Sequence, residues 1–297
     1  MTRLAVIIPT FNRWNDAQKC LLSLKKDEFG QKRVFLVNDG STDDTGIQAA
    51  LSFPEVEVIN GDGNLWWSGA INLGLKTALQ QNPDCILWLN DDNQVEPQTI
   101  TRMIESHIRC GPKSVICART RSLETGQDEW VGEPPRWHPD FGKWTAPDLP
   151  QPDVPLEHPP GGRGVLIPAE CFREVGLIDR KTFPHYWADH DFHYRAMKAG
   201  YKYYLATEAV VWNAPNSRRP GDPDEFTLRW IWNFLFTRRS PMNLPTLRRL
   251  LRRHLPREEF RRTFYPLAFD TLKWLGSGWV AGKPLIHRSL RALRRAF

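Results

Sequence analysis

The sequence predicts an α/β fold: a mixed, mostly parallel sheet flanked by helices, followed by a basic, mainly helical C-terminal extension. Three observations predict it. Short β-branched and apolar runs alternate with stretches of helical length through the first third of the chain. Each run ends in a cluster of carboxylates, amides or glycines. The charge is also one-sided, with residues 1–215 carrying 22 basic and 28 acidic side chains (−6) and residues 216–297 carrying 18 and 6 (+12). A body at 1–215 and a basic region at 216–297 follow from that asymmetry.

Taken in order, Leu4–Ile8 is a five-residue apolar run stopped by Pro9. It is too short for a secretory core and has no small-residue cleavage site behind it, so it reads as the first strand. Trp14–Lys26 has helical character, Val34–Val37 is a second strand and Thr42–Leu51 a second helix. Val56–Ile59, Gly69–Gln81 and Cys85–Leu89 continue as strand, helix, strand. Strands alternating with helices of this length build a parallel sheet covered on both faces. Glu129 to Pro160 is rich in Pro, Trp and Gly and lacks periodicity, which predicts a long loop of the kind that usually carries function. In Leu244–Leu255, Leu247, Leu250, Leu251 and Leu255 share a helical face opposite Arg248, Arg249, Arg252 and Arg253. Ile286, Leu290, Leu293 and Phe297 repeat the theme among Arg288, Arg291, Arg294 and Arg295.

Composition excludes several classes. With 41% hydrophobic and 25% charged residues among 297, the chain has the balance of a folded protein, not a disordered one. No uncharged apolar run approaches the ~18 residues of a membrane span; Tyr265 to Gly282 is broken by Asp270, Lys273, Gly276 and Gly278. Five cysteines, none in C-x-x-C spacing, read as reduced, buried thiols of a cytoplasmic protein. His190 and His193, three apart without cysteine partners, read as structural more readily than as a metal pair. No nucleic-acid-binding module is recognisable.

In an open α/β sheet the ligand sits outside the carboxyl ends of the strands. The residues there are Pro9-Thr10-Phe11-Asn12-Arg13, Asn38-Asp39-Gly40-Ser41-Thr42, Asn60 through Gly69, and Asn90-Asp91-Asp92-Asn93. Any one of these is an ordinary turn or helix cap. Four together on one edge point to a binding site.

These segments, with Pro160–Ile167, Val175–Asp179 and Trp187–Ala196, resemble the family 2 inverting glycosyltransferases of GT-A fold, of the rhamnosyltransferase and galactofuranosyltransferase type. The resemblance runs in order over about residues 3–215. A Walker A lysine loop and a GxGxxG fingerprint are both missing. The resemblance implies a nucleotide-sugar donor (UDP-, TDP- or GDP-linked), with Asp39 accepting the base N–H, Pro9, Thr10 and Phe11 walling the base, and Arg13, Asn64 and Asp91 completing the nucleotide site. Asp39 also suits an Asx-turn before Gly40. Asn90-Asp91-Asp92 stands at the family's D-x-D motif, so Asp92 is the expected ligand of Mg²⁺ or Mn²⁺ supported by Asp91. Asn213 falls where many relatives carry a metal-binding histidine, and Arg218 and Arg219 just beyond it are placed to meet the diphosphate.

Asp189 aligns with the family's catalytic base, although Ala188 replaces the first member of the usual acidic doublet. A helix N-cap is its bland alternative. Asp191 is expected to orient the site or cap the helix carrying Arg195, and Trp187 to pack under the acceptor sugar. Trp66 and Trp67 offer indole faces for sugar C–H groups, though core packing is the commoner fate of a tryptophan. Phe226-Thr227-Leu228-Arg229-Trp230 lacks the glutamine of the Q-x-x-R-W motif of processive synthases, which argues for transfer of a single sugar to a lipid-linked or cell-envelope saccharide. The alternative is a non-catalytic sugar-nucleotide or glycan-binding protein. The basic tail predicts peripheral attachment to an anionic membrane, on the inner face of the cytoplasmic membrane, with Leu247, Leu251, Leu290 and Phe297 inserting. Helices packed on the body with solvated arginines are nearly as good a reading of the same pattern.

Overall fold

A computed structural model of the protein describes residues 2–130, 132, 151–158, 160–214, 228–238, 240 and 242–281. The described residues separate into two compact units, one of 2–130, 132, 151–158, 160–180 and 188–214, and one of 181–187, 228–238, 240 and 242–281.

The first unit is built on a ten-stranded sheet among the described residues. Its elements are β1 (Leu4–Thr10), α1 (Trp14–Lys26), β2 (Lys32–Asn38), α2 (Thr45–Ser52), β3 (Glu57–Asn60), α3 (Trp66–Gln80), β4 (Cys85–Trp88), β5 (Asn93–Val95), α4 (Thr99–Cys110), β6 (Ser114–Ser122), β7 (Asp128–Trp130), β8 (Asp153–Leu156), β9 (Val165–Pro168), α5 (Ala169–Val175), α6 (Ala188–Lys198) and β10 (Lys202–Asn213). The order is β3-β2-β1-β4-β9-β6-β10-β5, with β7 beside β6 and β8 beside β10. β1 runs parallel to both β2 and β4, and all seven of its residues are buried, as a central strand of a two-faced sheet requires. β9 then pairs antiparallel with β4 and β6, so the sheet is mixed.

Helices cover the sheet through apolar faces. α1 buries Ala17, Cys20, Leu21 and Leu24, spaced at three and four residues, into a core with Leu4, Val6, Ile8, Leu87 and Met103. α3 lies against β1 and β2. Gly74 permits that approach, since a Cβ there would come within 2.6 Å of Ile7 and 3.0 Å of Val37 side chains.

Two boundaries differ from expectation for identifiable reasons. α2 starts at Thr45 and not Thr42, because Asp44 adopts φ +59 and the Asp43 carboxylate accepts the Thr45 backbone N–H. The segment from Glu129 to Pro160 is not wholly loop: it includes the end of β7 and all of β8. β8 contains Pro155, which hides it from a sequence reading; the strand is tolerated because, among the described residues, it pairs on one side only, with β10. Cys20, Cys85, Cys117 and Cys171 are buried thiols and Cys110 is half-buried.

The second unit contains α7 (Leu228–Phe236), α8 (Leu244–His254) and α9 (Arg257–Ala281). α8 is capped by Asn243, whose Oδ1 accepts the Thr246 N–H at 2.9 Å, and carries a proline in its first turn. Its Leu247, Leu250 and Leu251 are fully buried, so the expected insertion of Leu247 and Leu251 into lipid is corrected: the fold already covers them. Arg248, Arg249, Arg252 and Arg253 are exposed on the other side, Arg253 lying over the Phe183 ring at 5.3 Å. Leu290 and Phe297 lie outside the described residues. Among the described residues, no helix is long and apolar enough to cross a membrane.

Candidate active site

The carboxyl ends of β1, β2 and β4 lie side by side, because parallel pairing brings Thr10 opposite Asn38 and Ile7 opposite Trp88. Asp39, just past β2, is buried, and its carboxylate accepts the backbone N–H groups of Gly63 (2.9 Å), Leu65 (3.0 Å) and Trp66 (3.0 Å). In the structure this carboxylate closes the 61–66 loop and caps α3 from the end of β2. Gly61 and Gly63 fit this closure. A Cβ on Gly61 would lie 2.8 Å from Asp39 Oδ1, and Gly63 has φ +82. Trp66 opens the helix at φ +57, and Asn64 is turned onto its own loop through Asp62.

Beyond β4, Asp91 and Asp92 are both buried. The Arg13 guanidinium spans them, 3.2 Å from Asp91 Oδ1 and 3.4 Å from Asp92 Oδ2, while also bonding Asp16 at 2.9 Å. Thr10 donates its hydroxyl to Asp91 at 2.9 Å. Burial pushes the Asp91 carboxyl up to about 7, against the opposing pull of Arg13 and with a further push from Asp92. Thr10 and Arg13 therefore hold the acidic pair, and Pro9 is buried inside β1; of the expected base wall only Phe11 stands exposed, at 51%.

Asn213, at the end of β10, pairs in register with Asn93. Its Oδ1 accepts from Asn93 Nδ2 at 3.1 Å, and its own Nδ2 donates to Glu129 at 2.8 Å. Asn93 also donates to Asp92 Oδ1 at 3.3 Å. The amide expected to ligate a cation is thus engaged in a relay that runs from Asp92 to Glu129. Among the described residues, no cluster of three or more His, Cys, Asp or Glu side chains is arranged to hold a metal ion. The donor set of Asp91 and Asp92, two adjacent hard carboxylates, fits a divalent cation whose remaining ligands come from elsewhere.

Asp189 lies in the first turn of α6. Its Oδ1 accepts the His190 backbone N–H at 2.8 Å and faces His190 Nδ1 at 3.0 Å. Burial raises its pKa, but the adjacent His190, by charge and hydrogen bond, and His193 more weakly, hold it at about 2. Oδ2 lies toward Gly161, where an added Cβ would be 3.4 Å away. Burial pushes His193 itself down to about 3, and its Nδ1 pairs with the Tyr203 hydroxyl at 2.9 Å. The neighbouring glycine, Gly162, fits under Trp67: a Cβ there would come within 2.6 Å of the indole. Trp67 in turn donates Nε1–H to Asn90 Oδ1 at 3.0 Å and stands edge-on to buried Trp88 at 5.9 Å. One indole therefore joins the end of β4 to the glycine loop beside Asp189.

Residues 5–154 match the glycosyl transferase family 2 model. The chain belongs to that family. It is 27% identical over 241 residues to galactofuranosyltransferase GlfT2 of Mycolicibacterium smegmatis, covering 71% of this chain and 36% of that protein. It is 28% identical over 102 residues to an uncharacterized glycosyltransferase of Haemophilus influenzae, covering 34% of this chain and 33% of the other. The chain thus spans about a third of the length of the curated relatives it matches. Among solved structures, GalNAc-T7 with UDP, GalNAc and Mn²⁺ superposes with a TM-score of 0.64 at 14% identity, covering 89% of this chain and 50% of that one. S. aureus TarS 1–349 superposes with a TM-score of 0.58 at 12% identity, covering 99% of this chain and 78% of that one. The fold is the GT-A fold expected from the sequence.

In this family 2 glycosyltransferase, the structure draws Thr10, Arg13, Asp91 and Asp92 into one cluster and joins Trp67 to Asn90. It takes Asp191 elsewhere: fully buried, it binds Arg195 Nε at 3.0 Å, and Arg195 donates to the Val175 and Leu177 carbonyls. Asp191 therefore braces α6 from inside, through Arg195, against the 175–177 turn. Trp187 immediately precedes α6 with φ +70, and Arg218 and Arg219 lie outside the described residues. The Asn93–Asn213–Glu129 relay belongs to no recognisable spacing in the sequence, and although His190 visibly follows Asp189, the pairing of its ring with that carboxylate is a fact of the structure.

Proposed function

We propose that the chain transfers a single sugar from a nucleotide-sugar donor (UDP-, TDP- or GDP-linked) to a hydroxyl of a lipid-linked or cell-envelope saccharide, with inversion. The observation that carries this reading is Asp189, an ionised carboxylate with one oxygen fixed by His190 and the other directed toward the Gly161 loop. Family membership supports the reaction class. In the proposed step the acceptor oxygen bonds to the anomeric carbon while that carbon's bond to the diphosphate oxygen breaks. The electron pair leaves with the diphosphate, and Asp189 takes the acceptor's proton. A carboxylate of such low pKa holds a proton weakly in the resting enzyme, and a bound sugar that displaces water around it pushes that pKa upward. When bound, Mg²⁺ or Mn²⁺ supplies positive charge to the departing diphosphate; Asp92, with Asp91, would hold it, and Arg13 would keep the two carboxylates together. Trp67 offers an aromatic edge beside Asp189. The basic region supports peripheral attachment to an anionic membrane at the cytoplasmic inner face.

The test uses the full chain with UDP-, TDP- and GDP-sugars and a saccharide acceptor. Asp189→Asn should reduce turnover by at least about a thousandfold, the upper range of general-base contributions, with donor affinity nearly unchanged, and the product should have the anomeric configuration opposite to the donor's. Donor binding without transfer or donor hydrolysis under any of these conditions would favour a non-catalytic binding protein instead.

A further inference from the structure

Helix α9 is apolar on two opposite faces. Phe260, Phe264 and Leu275 point inward and are buried, with Phe260 and Phe264 stacked at 5.4 Å. Tyr265, Phe269 and Leu272 point outward and are 58%, 66% and 53% exposed. Their spacing of four and three residues puts these three on one narrow stripe of the helix. At about 100° per residue, Arg261 borders the stripe on one side and Arg262 and Lys273 on the other; all three are exposed, and Arg262 also holds Glu258, at the N-terminal end of the stripe, at 2.7 Å. The stripe is mechanically supported, because the Tyr265 ring sits on the buried pair, 5.8 Å from Phe264 and 6.2 Å from Phe260. In the same helical unit, α7 exposes Trp232 and Phe236, ring centroids 4.6 Å apart, near the exposed Arg229 and Arg238.

An isolated exposed leucine is ordinary, but a supported aromatic stripe edged by cations is not. We infer that the outward stripe of α9, Tyr265–Phe269–Leu272 between Arg261 and Arg262/Lys273, is the surface that lies on an anionic lipid headgroup layer. The inference rests on the membrane attachment proposed above and assigns it to residues other than the leucines of α8, which the fold has already buried. Charge selects the occupant. Residues 216–297 carry +12, so a headgroup layer with negative surface potential is attracted while a second copy of the same basic region is repelled. The geometry agrees, since a helix lying in an interface buries a thin apolar stripe and keeps cations at headgroup height. The arginines of α8 add attraction without insertion.

The experiment is co-sedimentation of the full chain with phosphatidylcholine vesicles containing phosphatidylglycerol, at low and high salt. Two variants are compared, Tyr265→Ser/Phe269→Ser/Leu272→Ser and Arg261→Gln/Arg262→Gln/Lys273→Gln, with thermal melts and light scattering as controls. The unmodified chain should bind, with a salt-resistant fraction. The apolar variant should lose about tenfold in partitioning and all of that salt-resistant fraction. The basic variant should lose about a hundredfold at low salt, near fivefold per residue. If the apolar variant binds as the unmodified chain does, the stripe is not the contact, although membrane attachment stands. If the unmodified chain binds no vesicle, both inferences fall. If light scattering shows a dimer that the apolar variant dissociates, the stripe is a subunit interface and the lipid assignment is wrong.

Discussion

Replacing Asp39 by Asn separates two uses of one carboxylate. Asn keeps the volume and one carbonyl oxygen, which can retain the Gly63 N–H, but it turns an amino group toward the Leu65 and Trp66 N–H groups that Oδ2 now accepts at 3.0 Å. Oδ1 can still reach the Leu65 N–H, now at 3.2 Å, so one half-buried donor, the Trp66 N–H, is left facing a donor, at a cost of about 1–3 kcal/mol. Loss of a negative charge at the start of α3 adds about 0.3–1 kcal/mol. A destabilisation of about 1–4 kcal/mol follows, which in a chain of this size lowers Tm by roughly 5 °C. Thermal and urea denaturation of the full chain measure it, beside calorimetric titration of the nucleoside diphosphate. The expected result is a clear loss of stability, with weakened nucleotide binding that follows loosening of the 61–66 loop. The reasoning is refuted if Asp39→Asn stays within about 1 kcal/mol of the unsubstituted protein while nucleotide binding disappears: the carboxylate would then serve the base and not the helix.

Gly162→Ala should force the Trp67 indole off Asn90, since the new methyl would lie 2.6 Å from the ring; overpacking of about 1–3 kcal/mol is expected, together with at least a tenfold drop in turnover, read by denaturation and a steady-state assay. Asp91 releases its proton near 7 in the folded chain and near 4 when unfolded. The folded state therefore binds that proton more tightly, and without cation or donor the stability should fall by roughly 2–4 kcal/mol as pH rises from about 4 to about 7; thermal melts across that range in chelator should show the fall, and Asp91→Asn should abolish it. Asp92→Ala should weaken Mn²⁺-dependent donor binding strongly and Asn213→Ala less so, because Asn213 reaches Asp92 only through Asn93; titrations with and without Mn²⁺ check this, and metal-independent binding in the unsubstituted protein would overturn it.

The sheet and its binding edge were legible in the sequence because their signals are local. An apolar run such as Leu4–Ile8 is short enough to be a strand, and the polar residues after it must emerge at the strand's end whatever the rest of the chain does. The helix Trp14–Lys26 was readable for the same reason, its inward positions recurring at three and four residues. Family membership was legible from the ordered set of strand-end motifs, and the family model bears it out.

What the tertiary structure decided is the partner of each polar group. Asp39 could be read as a turn residue or a base acceptor, but not as the cap of a helix beginning 27 residues later, because capping across strands depends on which strand ends become neighbours. Asn213 stands at a ligand position in sequence, yet antiparallel pairing of β10 with β5 puts Asn93 opposite it and uses its carbonyl. The tail shows the same limit. In α8 the leucines and arginines separate cleanly, and the fold buries the leucines. In α9 two apolar faces cancel one another in any one-face reading of the sequence, and only packing distinguishes the face of Phe260 and Phe264 from that of Tyr265 and Phe269. Composition determines how much apolar surface a helix offers; which part stays outside depends on what the rest of the chain brings against it.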